Sequence, residues 1–151
     1  MLNCAFTGCA TSLGGRSGKV SLGKTPNTIL VTTMPPDLGG SGDQQGTNPE
    51  ELFGAGISSG FYGSIFHTAH DLGLKGWDKD AAVTADVNIL FPEDRSYYRL
   101  GVTLHVRLPS VDTDTARQLI RAAQEVNGYW EALKKSGMPL AVTLNGAPIG
   151  E

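Results

Sequence analysis

With 151 residues, 40% of them apolar and 18% charged, the chain is long enough for one domain with a real core. Its net charge of −3 offers little to a polyanion or an anionic membrane surface, and no apolar run reaches membrane-spanning length. Neither nucleic acid nor a membrane is an expected partner, and the absence of a basic–apolar leader pattern in Met1 to Phe6 makes a cytoplasmic location the expectation.

Residues 2–12 alternate loosely and read as a strand. The two cysteines, Cys4 and Cys9, then fall on opposite faces, because five positions is an odd step along a strand. Cys4 shares its face with Leu2 and Phe6 and reads as a small core residue; the exposure of Cys9 stays open. No disulfide framework and no metal-type cysteine spacing is present. Gly14-Gly15-Arg16-Ser17-Gly18 reads as a turn, and Lys19 to Leu22 as the returning arm of a hairpin. Thr28 to Met34, rich in β-branched residues, is the next strand, stopped by Pro35-Pro36. The Gly/Asp/Gln loop from Asp37 to Gly46 is long enough to suggest function.

A dense helix start follows. Asn48 suits the cap, Pro49 the first helical position, and Glu51 stands three after Asn48 at capping-box spacing. Glu50 and Glu51 complement the positive end of the helix dipole. The helix runs to about Leu72 with no formal charge between Glu51 and Asp71, and apolar or small residues on every side predict a buried central helix. Its interior glycines, Gly54, Gly56, Gly60 and Gly63, cost about 3–4 kcal/mol against alanine in total, so close packing must offset them.

After a turn holding Trp77, Ala82 to Phe91 and Tyr98 to Leu108 read as two strands. In the second, Val102, Leu104, Val106 and Leu108 form an apolar face and Thr103, His105 and Arg107 a wet one. Asp112 to about Lys135 reads as one amphipathic helix, with Ala116, Leu119, Ile120, Ala123, Val126, Trp130 and Leu133 as its stripe. Gly137 and Pro139 end it. Leu140 to Ile149 is the last strand, with a break at Asn145-Gly146 as one option. The expectation is one α+β domain over 1–151: three strands, helix, two strands, helix, strand.

The order of elements, Gly14-Gly15-Arg16-x-Gly18, and Thr47-Asn48-Pro49-Glu50-x-Leu52-Phe53-x-Ala55-Gly56 together resemble the Ohr/OsmC family of organic hydroperoxide resistance proteins, over nearly the whole chain. The resemblance implies an intertwined homodimer, antiparallel sheets wrapped around two central helices, which suits a helix apolar on all sides. It also implies thiol peroxidation. A central-helix cysteine attacks an organic hydroperoxide, a turn arginine activates it, a glutamate orients the arginine, and a second cysteine resolves the product as a disulfide. Only a thiolate has the nucleophilicity for that step.

By position, Arg16 matches the arginine and Glu50 the glutamate, while the peroxidatic cysteine falls on Gly60 and the resolving cysteine on Asn127. Both sulfurs are absent, and a slightly enlarged pocket is expected where the thiol would stand. The candidate site is therefore a pocket for a small apolar or hydroperoxide-like ligand, formed by Arg16, Glu50, Gly60, Phe61, Asn127 and Tyr129, without metal or cofactor. Against this, Arg16 and Glu50 can be read as a surface turn and a dipole-complementing carboxylate, and Tyr129 as a wall residue. Asn127 either bonds across the pocket or sits half exposed near the helix end. Cys9, which precedes Arg16 in the hairpin, is the one candidate for a substitute nucleophile, and an inert strand cysteine is the simpler reading. His67 and His70, at i and i+3, read as core or interface histidines rather than metal ligands. Three functions stay open: a pocket that has lost its peroxidase chemistry, a reductase using Cys9 or a partner's thiol, and a regulatory subunit of a cysteine-bearing relative.

Overall fold

The computed structural model describes residues 2–24, 28–43 and 45–150. The chain divides into two compact units, 1–52 and 53–151.

The first unit is a three-stranded antiparallel sheet of β1 (Ala10–Leu13), β2 (Lys19–Leu22) and β3 (Thr28–Val31), in that order. Ser12 opposes Val20, which opposes Leu30. Alternation then puts Leu13, Ile29 and Val31 on the other face, where each is more than half exposed within the chain. After β3 the backbone continues through a parallel bridge between Thr32 and Thr47, which brings the start of α1 (Pro49–Asp71) beside the sheet.

The second unit carries the core. From Phe53 onward α1 is followed by β4 (Ala82–Leu90), β5 (Arg99–Arg107), α2 (Thr113–Val126), α3 (Gly128–Ser136), β6 (Leu140–Leu144) and β7 (Ala147–Pro148). The sheet order is β4-β5-β6-β7. Ile57, Phe61, Ile65 and Ala69 of α1, Val102, Leu104 and Val106 of β5, Leu108 just after it, and Ala116, Leu119, Ile120 and Ala123 of α2 form one buried cluster, as the periodicities of these segments predict. The final hairpin does break at Asn145-Gly146.

Three expectations are corrected. The first strand starts only at Ala10; residues 2–9 form no strand, so the face argument for the cysteines lapses and Cys4 is exposed rather than in a core. The sheet is not wholly antiparallel, because β6 pairs with β5 in parallel, an arrangement that requires the crossover which α2 and α3 supply. The long helix after Asp112 is two helices, separated at Asn127 in an extended conformation (φ −89°, ψ 113°). The chain turns there, so Val126 leaves the stripe and is 69% exposed. The burial expected of α1 on every side includes cover from a second chain; within this chain α1 buries one face, while Phe53, Phe66, His67 and His70 are exposed and a Cβ at Gly56 or Gly63 would meet open space.

Candidate functional site

Arg16 stands in a tight turn built by backbone chemistry. Gly14 and Gly15 take positive φ values of 83° and 58°, and a single turn of 3-10 helix spans Gly15–Ser17. A Cβ at Gly18 would lie 2.0 Å from the Leu13 carbonyl oxygen, so only glycine fits that position. Thr32, buried at the end of β3, holds the turn from beneath. Its hydroxyl donates to the Gly15 carbonyl (2.7 Å) and accepts from the Gly18 N–H (3.0 Å), and its own N–H donates to the Gly18 carbonyl (3.0 Å). From the sequence Thr32 is simply one residue of a strand; the Thr-rich end of that strand is the only local signal of its role.

Glu50 is placed by the helix start. Thr33 N–H donates to the Thr47 carbonyl and Thr47 N–H to the Val31 carbonyl, both at 2.8 Å, which fixes the chain entering α1. Asn48 Oδ1 accepts from the Glu51 N–H at 2.9 Å, the expected cap. The Glu51 side chain accepts from the Thr47 hydroxyl (2.9 Å).

These two local structures bring Arg16 and Glu50 together. Arg16 Nη1 donates to Glu50 Oε2 at 2.7 Å and Nη2 to Oε1 at 2.5 Å, a two-pronged pair with 32% and 16% of the side chains exposed. The hydrogen bond from the guanidinium holds the Glu50 carboxyl below the usual range, and the carboxylate holds the Arg16 proton more tightly. A guanidinium has five N–H donors; Glu50 takes two, and among the described residues no other side chain or carbonyl takes the remaining three. Beside this pair a cavity of about 340 Å³ is lined by Ser17, Thr32, Pro36, Ser41, Asn48 and Glu51 among others; Arg16 and Glu50 themselves do not line it.

Gly60, Asn127 and Tyr129 meet in the second unit. Asn127, 4% exposed, donates through Nδ2 to the Gly60 carbonyl (3.1 Å) and to Ser64 Oγ (3.0 Å), while its Oδ1 accepts from the Trp130 N–H (2.7 Å) and caps α3. The half-exposed alternative for Asn127 is therefore overturned. No enlarged space is left at Gly60 either, because a Cβ there would lie 2.7 Å from Cδ2 and Cε2 of Tyr129. The tyrosine ring occupies the volume a side chain at position 60 would need. Phe61 turns the other way, fully buried in the core with Trp130 at 6.0 Å between ring centroids.

The remaining candidates are dispersed. Cys9 is exposed, and no side-chain bond ties its sulfur to any described residue. His67 and His70 are exposed rather than in the core, His67 against the Phe66 ring and His70 3.6 Å from Asp71. Among the described residues no cluster of His, Cys, Asp and Glu could hold a metal. His105 is not simply solvated: its ring nitrogens lie 2.9 Å from Thr143 Oγ1 and 3.0 Å from Asp86 Oδ2, on the wet face of the sheet.

The family profile described as OsmC-like protein matches residues 40–143. The chain belongs to the OsmC-like family. An uncharacterized protein of Acinetobacter baylyi is 38% identical over 87% of both chains. The organic hydroperoxide resistance protein OhrB of Bacillus subtilis is 30% identical, covering 85% of this chain and 90% of that one. The crystal structure of OhrB superposes with a TM-score of 0.79 at 28% identity, covering 94% of this chain and all of the other. An organic hydroperoxide resistance protein from Elizabethkingia anophelis gives a TM-score of 0.81 at 30% identity, covering 95% and 98% of the two chains. This α+β OsmC-like chain thus stands on the Ohr side of its family. Among its described residues no helix is long and apolar enough to cross a membrane.

Proposed function

We propose that this chain is an Ohr-like protein without thiol peroxidase activity, which acts as a homodimer and binds a small apolar ligand with an oxygen-bearing head at Arg16 and Glu50. The observation that carries the reading is the pairing of an intact Arg16–Glu50 bridge with a tyrosine ring lying on Gly60. By the family resemblance, position 60 is where a peroxidatic thiol belongs. The two cysteines of the chain, Cys4 and Cys9, both precede β1, so α1, α2 and α3 carry no sulfur nucleophile. Three free guanidinium donors suit a hydroxyl, carbonyl or hydroperoxide oxygen, and binding alone requires no thiolate.

Unfilled surface supports the homodimer. The outer face of the first sheet exposes Leu13, Ile29 and Val31, and the open side of α1 exposes Phe53 and Phe66 beside the bare backbone at Gly56 and Gly63. Exposed apolar surface on each unit favours an interface with a second chain, and small residues on α1 admit a second helix close to the first. Sedimentation equilibrium should give a dimer mass.

Turnover of cumene hydroperoxide with a lipoyl dithiol tests the chemistry. No rate above that of the dithiol alone is expected. Enzymatic turnover that disappears in Cys9→Ser would replace this reading with a reductase using that exposed thiol. Calorimetric titration with cumyl alcohol tests the ligand; binding unaffected by Arg16→Gln would remove the assigned site.

A further inference from the structure

A second cavity, of about 260 Å³, lies wholly within the second unit, between α2–α3 and the β6–β7 hairpin. Its lining is divided by chemistry. Ile120, Trp130, Val142 and Ile149 supply apolar surface, and Arg117, Arg121 and Lys134 supply three cations, with no carboxylate among the described lining residues. Arg117 and Arg121 are one helical turn apart, so like charges adjoin on the helix surface. Among the described residues none of the three cations has a hydrogen bond or ion pair. Asp114 and Glu125, within a turn of them on α2, make no bridge to either arginine, and Glu131 is taken by Lys135 at 2.7 Å rather than by Lys134. Three unneutralised cations around an apolar hollow form an arrangement that a bound anion completes.

We propose that this cavity binds a small apolar monocarboxylate, its carboxylate held by Arg117 and Arg121 and its hydrocarbon part against Trp130 and Ile149. Charge complementarity selects the anion, and guanidinium forks match a carboxylate's two oxygens. The volume lies just below the usual range for ligand pockets, which selects a short aliphatic or single-ring acid over a long-chain lipid. The site shares no residue with Arg16 and Glu50 and stands or falls independently of the function proposed for them.

Octanoate, with octanol as its uncharged counterpart, tests this on the full chain by calorimetry and by nitrogen–proton NMR. Saturable octanoate binding is expected, with the largest shifts at the Trp130 indole N–H, Ile120 and Ile149. Arg117→Gln/Arg121→Gln, both at exposed helix positions, should weaken octanoate about tenfold and leave octanol unchanged. Circular dichroism verifies that the variant is folded. The proposal is overturned if octanoate does not bind, if octanol binds equally well, if the double variant binds octanoate undiminished, or if the shifts centre on Arg16 and Thr47.

Discussion

Asn127→Ala should be among the more destabilising single changes in the second unit, although this residue lies at a helix break. The side chain makes three hydrogen bonds: to the Gly60 carbonyl, to Ser64 Oγ, and from the Trp130 N–H as the cap of α3. A lost asparagine cap costs about 1 kcal/mol. Each of the two bonds made by the amide donor contributes roughly 0.5–1.5 kcal/mol net. The total is about 2–4 kcal/mol, a large fraction of the stability of a single domain. Asn127→Ser separates the parts: a serine hydroxyl can cap α3 but is too short to reach α1, so it should cost about 1–3 kcal/mol. Urea denaturation at fixed protein concentration measures both variants, and fixing concentration matters because dimerisation shifts apparent stability. A loss below about 0.5 kcal/mol for Asn127→Ala, or Asn127→Ser as stable as the parent, would refute the argument that the amide ties α1 to the α2–α3 corner. Ser64→Ala should then couple to Asn127→Ala in a double-mutant cycle, since it removes one of the same bonds.

Gly60→Ala should gain about 1 kcal/mol of helix propensity in a Tyr129→Ala background and less, or nothing, where the tyrosine ring must first move aside; thermal denaturation of the four proteins checks this. Thr32→Val keeps shape but removes both hydroxyl bonds under the Arg16 turn, and should cost about 1–3 kcal/mol, read by urea denaturation. Because Glu50 is more acidic folded than unfolded, its bridge to Arg16 contributes stability that is fully present above the carboxyl's ordinary pKa and is lost as pH falls through the lowered one. Glu50→Gln should therefore be less stable than the parent at neutral pH, with the gap closing through the acid range. A gap independent of pH would remove the bridge as its cause.

Much of the Arg16–Glu50 site was legible in the sequence because it rests on local rules. Glycines at Gly14, Gly15 and Gly18 dictate the turn that presents Arg16, and Asn48-Pro49 dictates where α1 starts and hence where Glu50 stands. The clean alternation of β5 and the i, i+4 recurrence of Ile57, Phe61 and Ile65 likewise mark their faces without reference to anything distant. The region around Gly60 was not legible. Trp130 and Leu133 continue the apolar stripe past Asn127, so periodicity runs through a break that a side-chain cap creates. The partners of that side chain, Gly60 and Ser64, are 67 and 63 residues away in the chain. Loose alternation in residues 2–9 misleads for the opposite reason: a strand exists only where a neighbour takes up its backbone bonds, and among the described residues the one such bond to this segment from elsewhere in the chain is at its very end, from the Gly23 N–H to the Cys9 carbonyl (2.9 Å).

Sequence alone determined the family, the order of most elements, the Arg16 turn, the α1 cap and the lack of sulfur on the helices, since each of these depends on residue identity or on spacing within a few positions. Only the tertiary structure decided that Thr32 braces the turn, that Asn127 joins α1 to α3, and that Tyr129 lies where a side chain on Gly60 would be. Those facts depend on which side chains meet across long stretches of chain, and no local propensity or period encodes such a meeting.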